Sequence, residues 1–225
     1  MSVLKIEDVK YTYKSKYQTV NALKGITYEF QPQKFYALIG RSGSGKTTLL
    51  SLLAALDVPT EGEVLYQGTS TKALDRDKYH QDAVAVIYQS YNLLPLLTVL
   101  ENVAFPLEMK GVPNAKQIAA EKLQVVGLNE TYHKRLPAML SGGEQQRVAV
   151  ARALTSEAQI ILADEPTGNL DTENSEVVID LLQKLAHEDG YCVIVVTHDL
   201  SIADKADEVL RMKDGALVEA EKKSK

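Results

Sequence analysis

Apolar and polar positions divide this chain into strand-like segments, a long helical stretch and a second set of strand-like segments. Near the start, residues 4–9 and 25–30 alternate in the manner of strands, and residues 63–66 form a third such segment after a turn at 59–62. These short segments predict a small antiparallel sheet at the side of the fold.

Four apolar runs predict the strands of a buried α/β core, and they lie at 35–39, 84–88, 159–163 and 192–196. Residues 92–154 have a helical pattern without clear strands. Another helix is predicted between the last two runs, because apolar residues from Val177 to Leu185 share one face and Gly190 follows. The polar residues 219–225 are expected to be frayed.

Composition and charge exclude several classes of protein. The 225 residues are 45% apolar and 24% charged, which is typical of a globular protein. A net charge of −5 argues against nucleic-acid binding, and no apolar run is long enough to cross a bilayer. The beginning of the chain lacks the apolar core of a signal peptide. We therefore expect a cytoplasmic protein, in which Cys192, the single cysteine, is a structural thiol within a strand.

The segment 40–47 fits the phosphate-binding pattern G-x-x-x-x-G-K-[ST] between a predicted strand and a predicted helix. Backbone N–H groups of such a loop and the start of its helix surround a polyphosphate. Lys46 would reach the β- and γ-phosphates, and the Thr47 hydroxyl would be a ligand of Mg²⁺. The residues predicted to bind nucleotide here are Gly40, Arg41, Ser42, Gly43, Ser44, Gly45, Lys46, Thr47 and Thr48.

Polar residues follow the other three core strands, where ligands of parallel sheets bind. Asp164 closes a run of apolar residues and would hold Mg²⁺, and Glu165 would orient and deprotonate the attacking water. Gln89 would be a metal ligand or orient water, and His198 would donate a hydrogen bond to the γ-phosphate. Each residue alone could be an ordinary surface residue, but four strand ends with such residues predict a catalytic site for a nucleoside triphosphate.

A second segment, Leu140–Arg147, offers another anion site. Ser141, Gly142 and Gly143 supply a hydroxyl and bare amides at the start of a predicted helix. The chain would therefore carry two separate phosphate-binding elements.

The motifs together resemble the nucleotide-binding domain of ATP-binding cassette (ABC) proteins. The resemblance rests on GRSGSGKT, LSGGEQQR, IILADEP, Gly168–Asp171 and VTHD, in the family's order, and covers nearly the whole chain. It implies a P-loop NTPase core with a mostly parallel sheet, an N-terminal antiparallel β subdomain and an inserted helical subdomain. The expected division is about 1–91 and 158–225 for the core with its β subdomain, and 92–157 for the helical subdomain.

The resemblance also implies roles for particular residues. Two such domains pack head to tail, so that Ser141 and its glycines complete the site of a second copy, with ATP and Mg²⁺ between them. Tyr13 would stack on adenine, with Tyr11 as a weaker alternative, and Asp171 would communicate between the two sites. The intact catalytic positions favour a homodimer and a Mg²⁺-dependent ATPase.

Residues 89–103 and 164–171 look most like the branch of lipoprotein release, macrolide export and antimicrobial-peptide export. This implies a transmembrane permease as partner and a location on the inner face of the cell membrane. The apolar cluster at 91–97 would be the docking surface, with Tyr91, Leu94 and Pro95 expected to be exposed. Two alternatives remain open: a soluble ATPase of a scaffold or assembly complex, and a cassette that gates a membrane protein without transport. The cargo is not indicated by any motif.

Overall fold

The computed structural model describes residues 2–156 and 158–222. Its strands are β1 Leu4–Lys14, β2 Thr19–Phe30, β3 Lys34–Ile39, β4 Glu61–Tyr66, β5 Thr69–Ser70, β6 Val84–Tyr88, β7 Ile160–Asp164, β8 Cys192–Thr197, β9 Glu208–Lys213 and β10 Ala216–Lys222. Its helices are α1 Lys46–Leu53, α2 Arg76–Asp82, α3 Val99–Met109, α4 Ala115–Val125, α5 Gly142–Ala153, α6 Thr172–His187 and α7 Leu200–Lys205.

A six-stranded sheet in the order β10-β9-β3-β8-β7-β6 forms the centre of the fold. Neighbouring strands from β9 to β6 are parallel, and only β10 is antiparallel. The four predicted core strands are therefore adjacent in space, and their carboxyl ends meet at one edge. A mostly parallel sheet was the expected arrangement.

Both faces of the sheet are covered at β3, β7 and β8, which explains why these strands are mostly apolar. Side chains of β3 alternate between the two faces: Phe35, Ala37 and Ile39 pack with the helices α3 to α7. Tyr36 and Leu38 point the other way, where α1 and the second sheet cover them. The two buried clusters on either side of the sheet hold the phosphate loop and the later strand ends on one rigid support.

The second sheet has the order β2-β1-β4-β5 and is antiparallel, as the sequence predicted. Its long hairpin extends further than expected, to Lys14 in β1 and from Thr19 in β2. The register of the hairpin shifts between Tyr11 and Thr12, which pair with Leu23 and Asn21, so that Ala22 is an extra residue in β2. This irregularity turns the Ala22 carbonyl toward the phosphate loop.

Helices α3, α4 and α5 account for the helical stretch, with no described strand between β6 and β7. Thr98 and Ser141 begin α3 and α5 with the same reciprocal cap, in which each bonds with the glutamate three residues later. The division of the chain at residues 92 and 157 stays a prediction.

The sequence missed the hairpin of β9 and β10, and the expectation that residues 219–225 fray was wrong for 219–222. Strand β10 continues to Lys222, and Arg211 and Glu219 form an ion pair across the hairpin at 3.0 Å. Pairing with β9 gives these polar residues a ladder of backbone hydrogen bonds that their composition does not suggest. Residues 223–225 lie outside the described part of the chain. No helix in the described ranges is both long and apolar enough to cross a bilayer.

Candidate active site

The predicted residues at four strand ends lie together along the carboxyl edge of the large sheet. The phosphate loop follows β3, Gln89 follows β6, Asp164 ends β7, and His198 follows β8. The order β3-β8-β7-β6 makes these ends direct neighbours. The structure therefore brings the catalytic candidates together because the strands are parallel and consecutive in the sheet.

The phosphate loop has a backbone shape that requires glycine. Gly45 has φ of 101°, and a Cβ atom there would come within 2.7 Å of the Ala22 carbonyl oxygen. Lys46 is 92% buried, since its relative exposure is 8%, and its Nζ donates to the carbonyls of Gly40 at 2.8 Å and Arg41 at 3.2 Å. The ammonium is thus held at the centre of the loop, where phosphate oxygens would replace the carbonyls as acceptors.

A cavity of about 870 Å³ opens in front of this loop. The predicted residues that line it are Tyr13, Ser42, Gly43, Gly45, Lys46, Thr47, Thr48, Gln89, Glu165 and His198. The predicted residues Gly40, Arg41 and Ser44 instead line a neighbouring cavity of about 860 Å³ on the side of β9. The cavity of about 870 Å³ in front of the phosphate loop is called the large cavity below. It has the size and the polar end that a nucleotide requires.

Sequence reasoning missed the part of the wall that comes from β2 and from the β9–β10 turn. Lys24, Asp214 and Gly215 line the cavity there. Backbone hydrogen bonds join the turn to the phosphate loop (Gly215 N to Ser44 O, 3.0 Å) and to β2 (Lys24 N to Gly215 O, 2.9 Å). The dipeptide Asp214-Gly215 between two alternating segments is a hairpin signal that could have identified the β9–β10 turn, although not its position against the phosphate loop.

Asp164 has the environment of a metal ligand. One carboxylate oxygen, Oδ1, is buried without a hydrogen-bond partner. Burial raises the pKa of Asp164, and the Glu165 charge adds to this, whereas Lys46 and Thr47 act in the opposite direction. A buried acceptor without a donor is costly, and a cation relieves this cost. Carboxylate and hydroxyl oxygens near a phosphate loop suit Mg²⁺, so the residues present fit that ion.

Glu165 and His198 form a pair at the mouth of the cavity. His198 Nδ1 lies 3.0 Å from Oε1 and 2.9 Å from Oε2 of Glu165. Glu165 has φ of 47°, a conformation that a residue with a Cβ rarely adopts, and its N–H donates to the Val196 carbonyl at 2.9 Å. Strained backbone of this kind is concentrated at functional sites, where neighbouring structure maintains it.

Gln89 is held by the loop that follows Glu165. Its Nε2 donates to Asn169 Oδ1 at 3.3 Å, and Asn169 Nδ2 donates to the Gln89 carbonyl at 3.1 Å. A Cβ atom on Gly168 would come within 2.6 Å of Gln89 Nε2, so that the two loops lie in close contact here. Movement of either loop would therefore move the other.

Tyr13 forms the wall of the cavity furthest from the strand ends. Its ring is 49% exposed, and its hydroxyl lies 3.2 Å from Thr48 Oγ1. Tyr11, the weaker alternative, does not line the large cavity and hydrogen-bonds instead with Asp57. The geometry thus offers the ring of Tyr13, rather than that of Tyr11, to a bound base.

The second predicted phosphate-binding element lies apart from this cavity. Ser141 caps α5, accepting from Glu144 N at 3.3 Å, while its own N–H donates to Glu144 Oε2 at 2.7 Å. Neither Ser141 nor Gly142 and Gly143 line the large cavity. Asp171 is also outside it, where it caps α6 by accepting from Asn174 N at 2.8 Å, and this bond lowers the pKa of Asp171. Within one chain, these residues therefore lie outside the cavity that Lys46 lines.

Residues 23–168 match the family model of the ABC transporter. Several relatives are named for a transport system. The lipoprotein-releasing system ATP-binding protein LolD 1 of Rhodopirellula baltica is 40% identical over 96% of each chain. A macrolide export ATP-binding/permease protein, MacB, of Marinobacter nauticus is 43% identical over 96% of this chain and 34% of its own length. Both belong to the branch that the motifs predicted.

Solved structures of a related protein have the same fold as this chain. The ABC transporter cassette MJ0796 of Methanocaldococcus jannaschii is 42% identical over 98% of this chain and 97% of its own. Its dimeric structure superimposes with a TM-score of 0.88, at 41% identity over 97% of this chain and 98% of that one. A second structure, with the same TM-score, shows a dimeric post-hydrolysis state bound to ADP and Pi. The predicted resemblance is confirmed: this chain belongs to the ABC transporter family and is its ATP-binding ATPase subunit.

Proposed function

We propose that this chain powers a membrane exporter by ATP-driven, head-to-tail dimerisation followed by hydrolysis. The observation that carries the proposal is the separation of two phosphate-binding elements within one chain. Lys46 lines the large cavity, whereas Ser141 is exposed at the start of α5, away from it. A second copy in the opposite orientation would bring its Ser141 and glycines to the phosphates held by Lys46.

Within each site, the chain's own residues have distinct tasks. The phosphate loop and Lys46 bind the triphosphate, and Tyr13 stacks on the adenine. Bound Mg²⁺, held by Thr47, Asp164 and Gln89, would supply positive charge to the phosphate oxygens. Glu165 accepts a proton from the attacking water, and His198 orients Glu165 and donates to the γ-phosphate. Asp171, at the start of α6, passes the state of one site to the other.

The partner is proposed to be a transmembrane permease that contacts the segment after Gln89. Leu94 and Leu96 are 38% and 89% exposed, and Pro95 is also exposed. The expectation that Tyr91 is exposed was wrong, because this ring is half-buried with its hydroxyl against Gly142. Arg152 of α5 donates to the carbonyls of Asn92 at 2.7 Å and Tyr91 at 3.0 Å. Contact at Leu96 would therefore be transmitted both to Gln89 and to the helix that carries Ser141.

Export of a lipoprotein, peptide or drug-like cargo is supported by the relatives LolD and MacB, each named for an export system. The permease, rather than this chain, would select the cargo. A chain of this kind would work at the inner face of the cell membrane.

Affinity purification of tagged Glu165→Gln from detergent-solubilised cells, with ATP present, tests the proposal. We expect a membrane protein in near-equal amount, and we expect Leu96→Asp in the same background to lose it. Val125→Asp, which alters a 51% exposed residue on α4, is the matched control and should retain the partner. If only soluble proteins co-purified, the proposed permease partner would be contradicted, and an ATPase of an assembly complex would be favoured. A membrane partner whose reconstituted complex hydrolyses ATP without moving cargo would favour a gating role.

A further inference from the structure

Two tyrosines, Tyr11 and Tyr13, stand on the same face of β1. They are two residues apart, and side chains of a strand alternate between its faces. Their ring centroids are 4.8 Å apart, with an angle of 74° between the planes, so the rings meet edge to face. Only Tyr13 reaches the large cavity. Tyr11 supports it from the side.

A second, smaller cavity of about 200 Å³ lies behind Tyr13. Tyr13 and Thr48 line both cavities, and Tyr11, Leu56 and Asp57 line only the smaller one. The Tyr13 ring is thus a partition with open space on each side. Its hydroxyl contact with Thr48, at 3.2 Å, fixes one end of the ring but does not decide toward which cavity the ring leans.

Tyr11 is anchored much more firmly than Tyr13. It is half-buried, whereas Tyr13 is 49% exposed, and its hydroxyl donates to Asp57 Oδ2. This hydrogen bond raises the pKa of Tyr11 to about 12. Asp57 is itself fixed, because its Oδ1 accepts from Val58 N at 2.7 Å. The chain of contacts therefore runs from the turn after α1 to the edge of the Tyr13 ring.

We propose that Tyr11 is a positioning residue for the adenine of the bound nucleotide. Anchored by Asp57, it holds the Tyr13 ring out of the small cavity and in the orientation that stacks on the base. This role rests on the proposed stacking of Tyr13. It assigns part of the affinity for the base to a residue outside the large cavity.

The binding of ADP and of inorganic pyrophosphate, measured by calorimetry in the presence of Mg²⁺, tests the role. ADP carries the base and is not turned over, and pyrophosphate reports the phosphate loop alone. Tyr13→Ala should lower the affinity for ADP by about tenfold, which is a typical effect of losing the stacking of one base. In Tyr11→Ala, the Tyr13 ring loses its support. If the ring then keeps the stacking orientation about a fifth of the time, the affinity for ADP should fall about fivefold. Pyrophosphate affinity should be unchanged in both variants.

Three further variants separate positioning from general damage. Tyr11→Phe keeps the ring edge and loses the bond to Asp57, so its ADP affinity should fall between wild type and Tyr11→Ala. Asp57→Ala should resemble Tyr11→Phe, which keeps the test available if Tyr11→Ala does not fold. Tyr17→Ala, at a ring that is 90% exposed, should bind ADP normally.

The possible outcomes are distinct. Normal ADP binding by Tyr11→Ala, with weak binding by Tyr13→Ala, would overturn the role of Tyr11 and leave the stacking of Tyr13 in place. Normal ADP binding by Tyr13→Ala would overturn both. Equal losses for ADP and pyrophosphate in Tyr11→Ala would mean a distorted phosphate loop and would also overturn the positioning role.

Discussion

His198 bridges both carboxylate oxygens of Glu165, at 3.0 and 2.9 Å from a single ring nitrogen. The histidine side chain is 74% exposed and the glutamate 21% exposed, so the bridge closes the open side of the catalytic carboxylate. Because the strained backbone of Glu165 and the end of β8 fix both residues, the pair is preorganised before any nucleotide arrives. Glu165, the proposed base, and His198, which would orient it, are thus held as one unit.

Glu165→Gln should bind ATP with nearly unchanged affinity but hydrolyse it about 10²–10⁴-fold more slowly, because the amide cannot accept the proton of the attacking water. Phosphate release in steady state and ATP titration measure the two quantities. Glu121→Gln, at an exposed glutamate of α4, is the control and should hydrolyse ATP at the wild-type rate. Residual activity close to wild type in Glu165→Gln would assign the base to another residue.

His198→Ala should lower the hydrolysis rate by about 10²–10³-fold, the usual effect of removing one donor that stabilises the transition state. Substrate binding should change little, since the phosphate loop and Lys46 are untouched. His133→Ala, a half-buried histidine away from the cavity, should behave as wild type. If ATP binding fell in His198→Ala as much as hydrolysis did, the residue would be a binding rather than a catalytic group.

Gly215→Ala should destabilise the fold and weaken ATP binding together. A Cβ atom at Gly215 would meet the Ala22 carbonyl oxygen at 2.6 Å, the same atom that lies 2.7 Å from a Cβ at Gly45. Gly127→Ala is the matched control: it has a similar φ, 75° against 84°, with nothing within 4 Å of its Cβ. The excess loss in the free energy of unfolding should be about 1–3 kcal/mol, from overpacking. If a denaturant titration showed the same loss of unfolding free energy in Gly215→Ala and Gly127→Ala, the close contact with Ala22 would be unimportant.

Ser141→Arg should abolish ATP-dependent dimerisation while leaving ATP binding to each chain intact, because the long side chain blocks the approach of a second phosphate loop. Removing a helix cap also costs about 1 kcal/mol of stability. Thr98→Arg removes the equivalent cap of α3 and is therefore the matched control, expected to dimerise normally. Both variants are made in the Glu165→Gln background, and sedimentation velocity with and without ATP shows which of them dimerises. Dimerisation by Ser141→Arg would contradict the proposed contact.

Much of the architecture could be predicted because its signals are local. The apolar runs that became β3, β7 and β8 are buried on both faces, and β6 is buried except at Val86 and Tyr88, so that burial is visible in the residues themselves. Their convergence at one edge then follows from a general property of parallel sheets. The polar residues after each strand could therefore be assigned to a single site before their distances were known.

The parts that were missed depend on contacts between distant segments. Strand β10 is polar and partly exposed, and it is ordered by its pairing with β9. The wall formed by Lys24 and Gly215 exists because β2 and the β9–β10 turn meet at the phosphate loop, a meeting that no local pattern encodes. The half-burial of Tyr91 has the same origin, since Arg152 and Gly142 of a later helix pack against it.

The proposed ATP-dependent dimer is tested most directly by sedimentation velocity of Glu165→Gln with Mg²⁺. The mass of the particle is measured before and after ATP is added. We expect a monomer without nucleotide and a dimer with ATP, because Lys46 and Ser141 of one chain are proposed to bind two different nucleotides. The dimer should fail to form with ADP, which lacks the γ-phosphate that the second chain contacts. A monomer at saturating ATP, with ATP binding verified in the same sample, would contradict the shared site.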